Sequence, residues 1–499
     1  MKTKFLLSLA IAIVLTILCG ISFSSADEIQ YDASDSPFGF HPAKISTQGY
    51  EKKGYSDASE IGVQWVRPMK YVYWFMVQPD INNDEYDFSV FDEQFGEIPE
   101  EFSIMANISP QPTLKDLDRC LDGSWIPIDQ AQYVNFVKAV VERYDGDGID
   151  DMPGLVNPIQ YWQVGNEPDN QKRSDFSELQ KITFQAIKDA CSDCQVIIGG
   201  FGSQLPEKFI KRFEIGYAPI LKELNGQYID ILDFHWYGNA LGHYQIIDPT
   251  EQEDILDYIR SILDSYGFPP DLPIWITEMG SFSGHTTDFD YEYQSEQQQA
   301  IDYFKRFIYA LSKGVKKVFP AFGLIEGWKD EDTYFDQTGL IYDGVGSYDL
   351  GFGVKKLGYF TYKKMTEELS GADFSTLTQV SEDINDENLH LFKVFKNGRA
   401  IFIAWWDYFE DPYYNPGETR IITLNQLMSS RVTVTSITPD VESGSDVTDY
   451  ATAFNTKTYN ISEESLTIEI SESPVLIIGE LSGKKSFIRK EQFRPAHKP

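Results

Sequence analysis

Cysteine and histidine are scarce in this chain, with 4 and 6 copies among 499 residues. Cys191-Ser192-Asp193-Cys194 has the CxxC spacing of a redox pair or of half a zinc site. No second CxxC exists and histidine ligands are few, so the pair reads as a structural bridge, or as free thiols, with Cys120 left over. Basic residues are also in deficit: 42 Lys and Arg against 77 Asp and Glu give a formal net charge of −35. Charge of that sign argues against nucleic acid or an anionic membrane as the main partner. Beyond the first residues no run is long and apolar enough to span a bilayer. Nor does a Gly-rich phosphate turn follow the first strand pattern, which weighs against a doubly wound nucleotide-binding sheet.

What is present begins with a leader. Lys2 and Lys4 precede the apolar run Phe5 to Leu18, and Ser24-Ser25-Ala26 supplies a small-residue cleavage site. Residues 1–26 therefore read as a signal peptide, with an uncleaved anchor as the alternative. Cys19 invites a lipoprotein reading, but Leu18 stands where a small residue is expected. The expectation is an exported protein, extracellular or periplasmic, with no stable membrane association after cleavage.

From residue 27 to 371, short apolar runs alternate with helical periods. Strand patterns fall at Phe38 to His41, Val63 to Pro68, Phe102 to Ile108, Ile159 to Gly165, Gln195 to Gly200, Ile229 to Phe234, Leu272 to Gly280 and Val315 to Phe322. Between them lie helical stretches such as Asp129 to Tyr144, Phe176 to Ala190, Phe209 to Leu224 and Gln297 to Lys313, the last stopped by Gly314. Eight alternations predict a (β/α)8 barrel, whose chemistry sits at the carboxyl ends of the strands. Beyond Gly371 the period changes to short β-branched or aromatic runs between turn residues, which predicts an antiparallel β-sandwich over 372–481. Residues 482–499 are basic, lack apolar periodicity and read as a disordered tail.

Two of the predicted strands end on a lone glutamate. Tyr161-Trp162-Gln163-Val164-Gly165-Asn166-Glu167-Pro168 stops at an amide, a carboxylate and a proline; Trp275-Ile276-Thr277-Glu278-Met279-Gly280 stops at a carboxylate and a glycine. Other strand ends bring Arg67, His235, Tyr237 and, just past the eighth strand, Trp328 to the same mouth. Two carboxyl groups in different environments are what glycoside hydrolysis needs. Arg67 and the Tyr237 hydroxyl are placed to keep Glu278 ionised, while the apolar strand around Trp162 is expected to raise the pKa of Glu167 by desolvation. Asn166 can donate to a sugar 2-hydroxyl. Taken singly each residue has a plainer role, as a surface charge or a structural hydrogen bond; their joint arrival at one mouth carries the reading. Aromatic residues make up 14% of the chain, and Tyr73, Trp74, Trp125, Trp236, Phe282 and Trp328 are expected near the mouth, with Trp74 and Trp328 as the sugar platforms and His41 as a further contact.

The order Arg67, Asn166-Glu167-Pro168, His235-x-Tyr237 and Trp-Ile-Thr-Glu278 resembles glycoside hydrolase clan A, in particular its families 5 and 39, over about residues 37 to 370. The resemblance implies retaining chemistry without a cofactor, a β-linked oligo- or polysaccharide as partner, Glu167 as acid/base and Glu278 as nucleophile. It also implies that Arg67, Asn166, His235 and Tyr237 support the pair and that Trp328 floors the subsite beside the scissile bond. A catalytically inactive carbohydrate-binding protein on the same scaffold is the alternative, and a surface protein that works through its sandwich is a third reading. No catalytic metal is expected. Asp145-Gly146-Asp147-Gly148-Ile149-Asp150-Asp151 resembles part of a calcium loop, with a solvated acidic turn as the other reading. The insertions Trp125 to Ile128 and Gly280 to Tyr293 fit either a pocket or an open cleft.

Overall fold

Eight short parallel strands organise the N-terminal part of the chain: β1 (Gly39–Phe40), β2 (Trp65–Val66), β3 (Ser103–Ser109), β4 (Tyr161–Val164), β5 (Gln195–Ile198), β6 (Leu232–Trp236), β7 (Ile274–Met279) and β8 (Lys317–Pro320). The structure is a computed structural model that describes residues 36–42, 54–113, 119–168, 175–203, 205–238, 244–251, 253–287, 293–327, 332–347, 349–380, 388–407, 419–424, 429–443, 447–461 and 465–479. The leader at 1–26, Trp328 and the tail at 482–499 lie outside the described residues. Pairing runs from each strand to the next, β1 to β5 on one side and β6 to β8 on the other. The Ile197–Ile231 bridge and the short strand Phe201–Ser203 join β5 to β6, and the Phe38–Val318 and His41–Ala321 bridges join β8 to β1.

Helices fill the connections: α1 (Gly54–Glu60), α2 (Trp74–Val77), α3 (Ser89–Gly96), α4 (Gln130–Tyr144), α5 (Phe176–Ala190), α6 (Phe209–Gly216), α7 (Ala218–Leu224), α8 (Ile255–Ser265), α9 (Glu296–Ser312) and α10 (Leu357–Leu369). Three of them, α4, α8 and α9, start on side-chain caps. Asp129 accepts from the Gln132 amide, Asp254 from Leu256 and Asp257, and Ser295 forms a reciprocal box with Gln298. The single helix expected over Phe209 to Leu224 breaks at Tyr217, because Pro219 in the first turn of α7 has no amide to continue the ladder. Among the described residues no helix is long and apolar enough to cross a membrane.

Side-chain alternation along the strands separates two cores. Val66, Ile104, Trp162, Val196, Phe234, Ile276 and Val318 belong to the large cluster shared with the helices. Trp65, Met105, Tyr161, Ile197, Ile231, Trp275 and Phe319 form a separate buried cluster drawn from all along the strand run. They are the alternate residues of those strands, so they point the opposite way and make an apolar floor. Two residues beyond Trp65, Met105, Tyr161, Ile231 and Trp275 the same face turns polar: Arg67, Asn107, Gln163, Asp233 and Thr277 are all buried. That polar layer lies one step towards the carboxyl ends and carries the site.

After α10 come antiparallel strands β9 (Ala372–Gln379), β10 (Leu389–Lys396), β11 (Arg399–Trp406), β12 (Arg420–Leu424), β13 (Arg431–Ser436), β14 (Thr456–Asn460), β15 (Leu466–Ile470) and β16 (Val475–Gly479). Six form a sheet ordered β9-β10-β11-β16-β13-β14, and β12 pairs with β15. Leu391, Ala404, Trp406, Ile422, Leu424 and Ile468 pack in one cluster that joins the two sheets. The other face, with Phe392, Val394, Ile401, Ile403 and Trp405, joins the main core. A buried polar knot ties this region to the parallel-strand region: Lys305 of α9 donates to Asp407 at 2.6 Å, Tyr244 also donates to Asp407, His390 Nε2 is 3.1 Å from it, and Trp405 donates to Tyr244 at 3.0 Å. Cys191 and Cys194 form a disulfide, and burial pushes the Cys120 thiol up to about 12, far from a reactive thiolate.

Candidate active site

Arg67 is the hub of the polar layer. It is fully buried, and its guanidinium donates to Glu278 Oε1 at 2.6 Å, to Gln163 at 2.7 Å and to Asn166 at 2.6 Å. The planar fork suits several acceptors at fixed angles, which a lysine would not. Tyr237 donates to the other oxygen of Glu278 at 2.6 Å. His235 Nδ1 lies 2.8 Å from Glu167 Oε1 and 3.3 Å from Glu278 Oε2, so one imidazole touches both glutamates. One carboxylate oxygen from each glutamate and the His235 nitrogen all lie within 4.8 Å of one another.

Local backbone irregularities aim the two carboxylates. On β7, Trp275 and Thr277 face inward, so simple alternation would send Glu278 outward to the helices. An irregularity between Ile276 and Glu278 shifts the register, pairs Glu278 with His235 and turns it inward. Beyond β4, Gly165 at φ 66° and Glu167 at φ 43° make a left-handed turn that swings Glu167 over the site. Asn107 holds that turn by donating to the Gly165 carbonyl at 2.5 Å. Glycine at 202 is required by close approach: a Cβ there would lie 2.2 Å from Glu167 Oε1.

The charges are set by this geometry. Burial raises the Glu278 pKa, but His235 and Arg67 outweigh it and hold the carboxyl below its ordinary value. Glu167 is also lowered: burial works upward, while the bonded His235, then Arg67 and Arg212, pull it down. The expectation of a raised Glu167 is corrected here on two counts. Trp162 faces the helices rather than Glu167, and the cation that sequence proximity did not supply arrives as His235 from β6. Burial alone would make His235 neutral, yet Glu278, Asp233 and Glu167 raise it to about 10. His41 is different; burial and Arg67 lower it to about 3, and its Nδ1 contacts the Arg67 carbonyl at 2.9 Å. It backs the hub instead of lining the cavity.

Above the pair opens a cavity of about 700 Å³, bounded by Tyr71, Tyr73 and Met76 after β2, Ser203 and Arg212 after β5, and Phe322 and Phe335 after β8. Asn166, Glu167, Tyr237 and Glu278 all face it. Trp74 does not. It is fully buried against Tyr133 and Phe136, with its indole N–H on Gln78 at 2.7 Å, so its assignment as a sugar platform is corrected. Helix α2 starts at Trp74 and turns that ring into the helix layer; Tyr71 and Tyr73 line the cavity instead. Trp125, Trp236 and Phe282 are likewise buried.

Sequence reasoning passed over the supports. Asp233 accepts from Thr277 Oγ1 at 2.6 Å, from the Thr277 amide at 3.0 Å and from Gln163. The signal was available, since a polar residue inside an apolar strand must find a partner. Glu167, His235 and Glu278 could group around a cation, but the Arg67 guanidinium bonded to Glu278 disfavours a metal there. Asp145, Asp147 and Asp151 also cluster, each accepting from backbone amides of its own turn.

No family sequence model matches the chain, and no curated protein matches it in sequence. Solved structures do share its fold. A family 39 glycoside hydrolase from Bacteroides cellulosilyticus is 14% identical at TM-score 0.63, over 90% of this chain and 82% of that one. A GH51 α-L-arabinofuranosidase from Thermotoga petrophila is 12% identical at 0.57, over 90% and 92%. A GH30 endoxylanase from Clostridium papyrosolvens is 13% identical at 0.51, over 89% and 96%. All three are clan A enzymes.

Proposed function

We propose that the chain is a retaining glycoside hydrolase of clan A that cleaves O-glycosidic bonds, β-linked by the resemblance, in oligo- or polysaccharides. The observation that carries this reading is the paired carboxylates, with oxygens within 4.8 Å of each other in the lining of the cavity. Retaining enzymes hold the two groups about 5–5.5 Å apart, leaving no room for a water between them. The strand pairings, with β8 bridged to β1, support a closed (β/α)8 barrel as the frame. The leader makes it an exported enzyme, and neither chemical step needs a cofactor or metal.

Glu278 is the nucleophile. It is 3% exposed, held ionised by Arg67 and His235, and oriented by Tyr237. Glu167 is the acid/base; it is 26% exposed and can reach both the leaving oxygen and water. In the first step Glu278 attacks the anomeric carbon while the proton shared by His235 and Glu167 passes from Glu167 to the departing oxygen. In the second, Glu167 takes a proton from water, which attacks the same carbon and releases Glu278. Asn166, fixed by Arg67, is the donor for the sugar 2-hydroxyl. Release of reducing sugar from a panel of β-linked polysaccharides and aryl glycosides tests the reading, with Glu167→Gln and Glu278→Gln alongside. Loss in both variants is expected. A wild type that binds glycans but never cleaves them would replace it with the binding-protein reading.

A further inference from the structure

Both catalytic glutamates lie on one side of the His235 ring: Nδ1 is 2.8 Å from Glu167 Oε1 and 3.3 Å from Glu278 Oε2. The opposite side, at Nε2, faces groups that the two chemical steps leave unused. Thr277 Oγ1 lies 3.4 Å from Nε2, and Asp233 Oδ2 lies 3.7 Å from it. A Cβ at Gly200 would strike both Nε2 and Oδ2, so backbone closes the space beside them. Gln163, Asp233, His235 and Thr277 are all buried. An aspartate carboxylate accepts and cannot donate, so every contact of Asp233 runs one way. The Thr277 amide donates to Oδ1 at 3.0 Å, while the Thr277 hydroxyl and the Gln163 amide donate to Oδ2. Gln163 is oriented from its other end as well, where its oxygen accepts from Arg67 at 2.7 Å and from Asn107 at 3.0 Å. With its one proton given to Asp233, Thr277 Oγ1 has only lone pairs to offer, towards Nε2 and towards the Gln163 nitrogen at 3.5 Å.

We infer that Asp233 is a positioning residue: acting through the Thr277 hydroxyl, it keeps one proton of His235 on Nε2 and so makes Nδ1 the nitrogen that trades a proton with Glu167. The hydrogen-bond geometry stands by itself; its catalytic consequence rests on the glycosidase reading. Titratable groups reach His235 from three strands, Glu278 from β7, Asp233 from β6 itself and Glu167 from the end of β4. His41 after β1 and Arg67 after β2 stand behind Glu278. The two glutamates by themselves favour a proton on Nδ1, and a neutral ring of that form donates to Glu167 and holds it as a carboxylate. Such a Glu167 has no proton for a leaving oxygen. With Nε2 holding its own proton, the mobile proton of the pair passes from Nδ1 to Glu167 and on to the departing oxygen. That leaves a neutral imidazole and a carboxylate, and the water of the second step returns one proton to the pair.

The test reads the ring nitrogens directly. Protein carrying 15N-histidine is titrated through the alkaline range by NMR, with the His235 signals identified by their loss in His235→Asn. In the wild type Nε2 is expected to stay protonated while Nδ1 gives up its proton. Asp233→Asn brings an amide donor into the network and frees the Thr277 hydroxyl to donate to Nε2, so there the proton should leave Nε2 and stay on Nδ1. On aryl glycosides the same variant should lose about 100-fold in kcat/KM with a poor leaving group and about tenfold or less with a good one, a split that a merely structural loss would not make. A wild-type ring that gives up the Nε2 proton first overturns the inference. So does an Asp233→Asn ring that titrates like the wild type, or an equal loss on both glycosides. Thr277→Val keeps the carboxylate and removes the hydroxyl, and it decides the matter if Asp233→Asn does not fold. Its neutral ring should carry the proton on either nitrogen, and a proton still wholly on Nε2 refutes the relay. If the wild type hydrolyses neither glycoside, the glycosidase reading fails, and the nitrogen titration decides the inference alone.

Discussion

Gly202→Ala gives a direct test of where Glu167 must stand. The added methyl would lie 2.2 Å from Glu167 Oε1 and 2.4 Å from its carboxyl carbon. Ordinary contact requires roughly 3.4 Å, so the carboxylate must retreat by about 1 Å, well beyond thermal adjustment in a packed site. Oε1 is the atom bonded to His235 at 2.8 Å, so the retreat breaks that bond as well. A displacement of this size costs about 100-fold in rate, or about 2.7 kcal/mol of transition-state stabilisation. The fold itself should lose about 1–3 kcal/mol, because the clash falls on the end of one side chain. The assay is kcat/KM on two aryl glycosides, one with a good and one with a poor leaving group, together with a melting temperature. The poor leaving group needs the proton and should lose more. Full activity, or an equal loss on both substrates, would refute the placement of Glu167 as the acid.

Three further perturbations follow from the same geometry. Arg67→Lys keeps the charge but not the fork, so kcat/KM should fall about 100-fold or more; the acid limb of its pH profile should move up as the shorter side chain draws the positive charge back from Glu278. An unmoved acid limb would mean that Arg67 does not set the ionisation of Glu278. His235, raised to about 10, lets the His235–Glu167 pair keep its proton into the alkaline range; His235→Asn should bring the alkaline limb down by several units, and an unchanged limb would remove the histidine from the proton store. Asp407→Ala leaves Lys305 buried without its partner and should cost about 3–5 kcal/mol. The Asp407 pKa is held below its ordinary 3.8, so its contribution is complete above that value and lost as pH falls through the lower folded value. Melting curves from about pH 6 down to pH 2 should therefore converge for variant and wild type; a gap that stays constant would show that the carboxylate is not the stabilising form.

Most of the frame was legible because parallel strands buried on both faces are nearly continuous apolar runs, and a carboxylate at the end of such a run stands out. Arg67, Asn166, Glu167, His235, Tyr237 and Glu278 were found in this way, and the structure brings all six together. Pairing partners were not legible. Glu167 meets His235 across 68 residues of chain, so its electrostatics could not be read from neighbours in sequence. Trp74 was misplaced by a single step of alternation, since Tyr73 beside it faces the cavity. Strands β9 and β14 are illegible for another reason. Their sequences, ADFSTLTQ and TKTYN, are mostly polar and exposed, and ladder hydrogen bonds hold them at the sheet edges in place of an apolar face.

The knot of Tyr244, Lys305, His390, Trp405 and Asp407 has a consequence for heredity. Residue 371 divides two sequence patterns, but not two independently viable parts. A chain cut there would expose the Lys305 ammonium without its carboxylate and strip the apolar cover of Phe392, Val394, Ile401, Ile403 and Trp405 from the main core. The sheet cannot be shuffled onto another enzyme, or lost from this one, as a free cassette can. In this chain the two halves are inherited as one unit of selection, because each buries groups that the other alone would leave exposed.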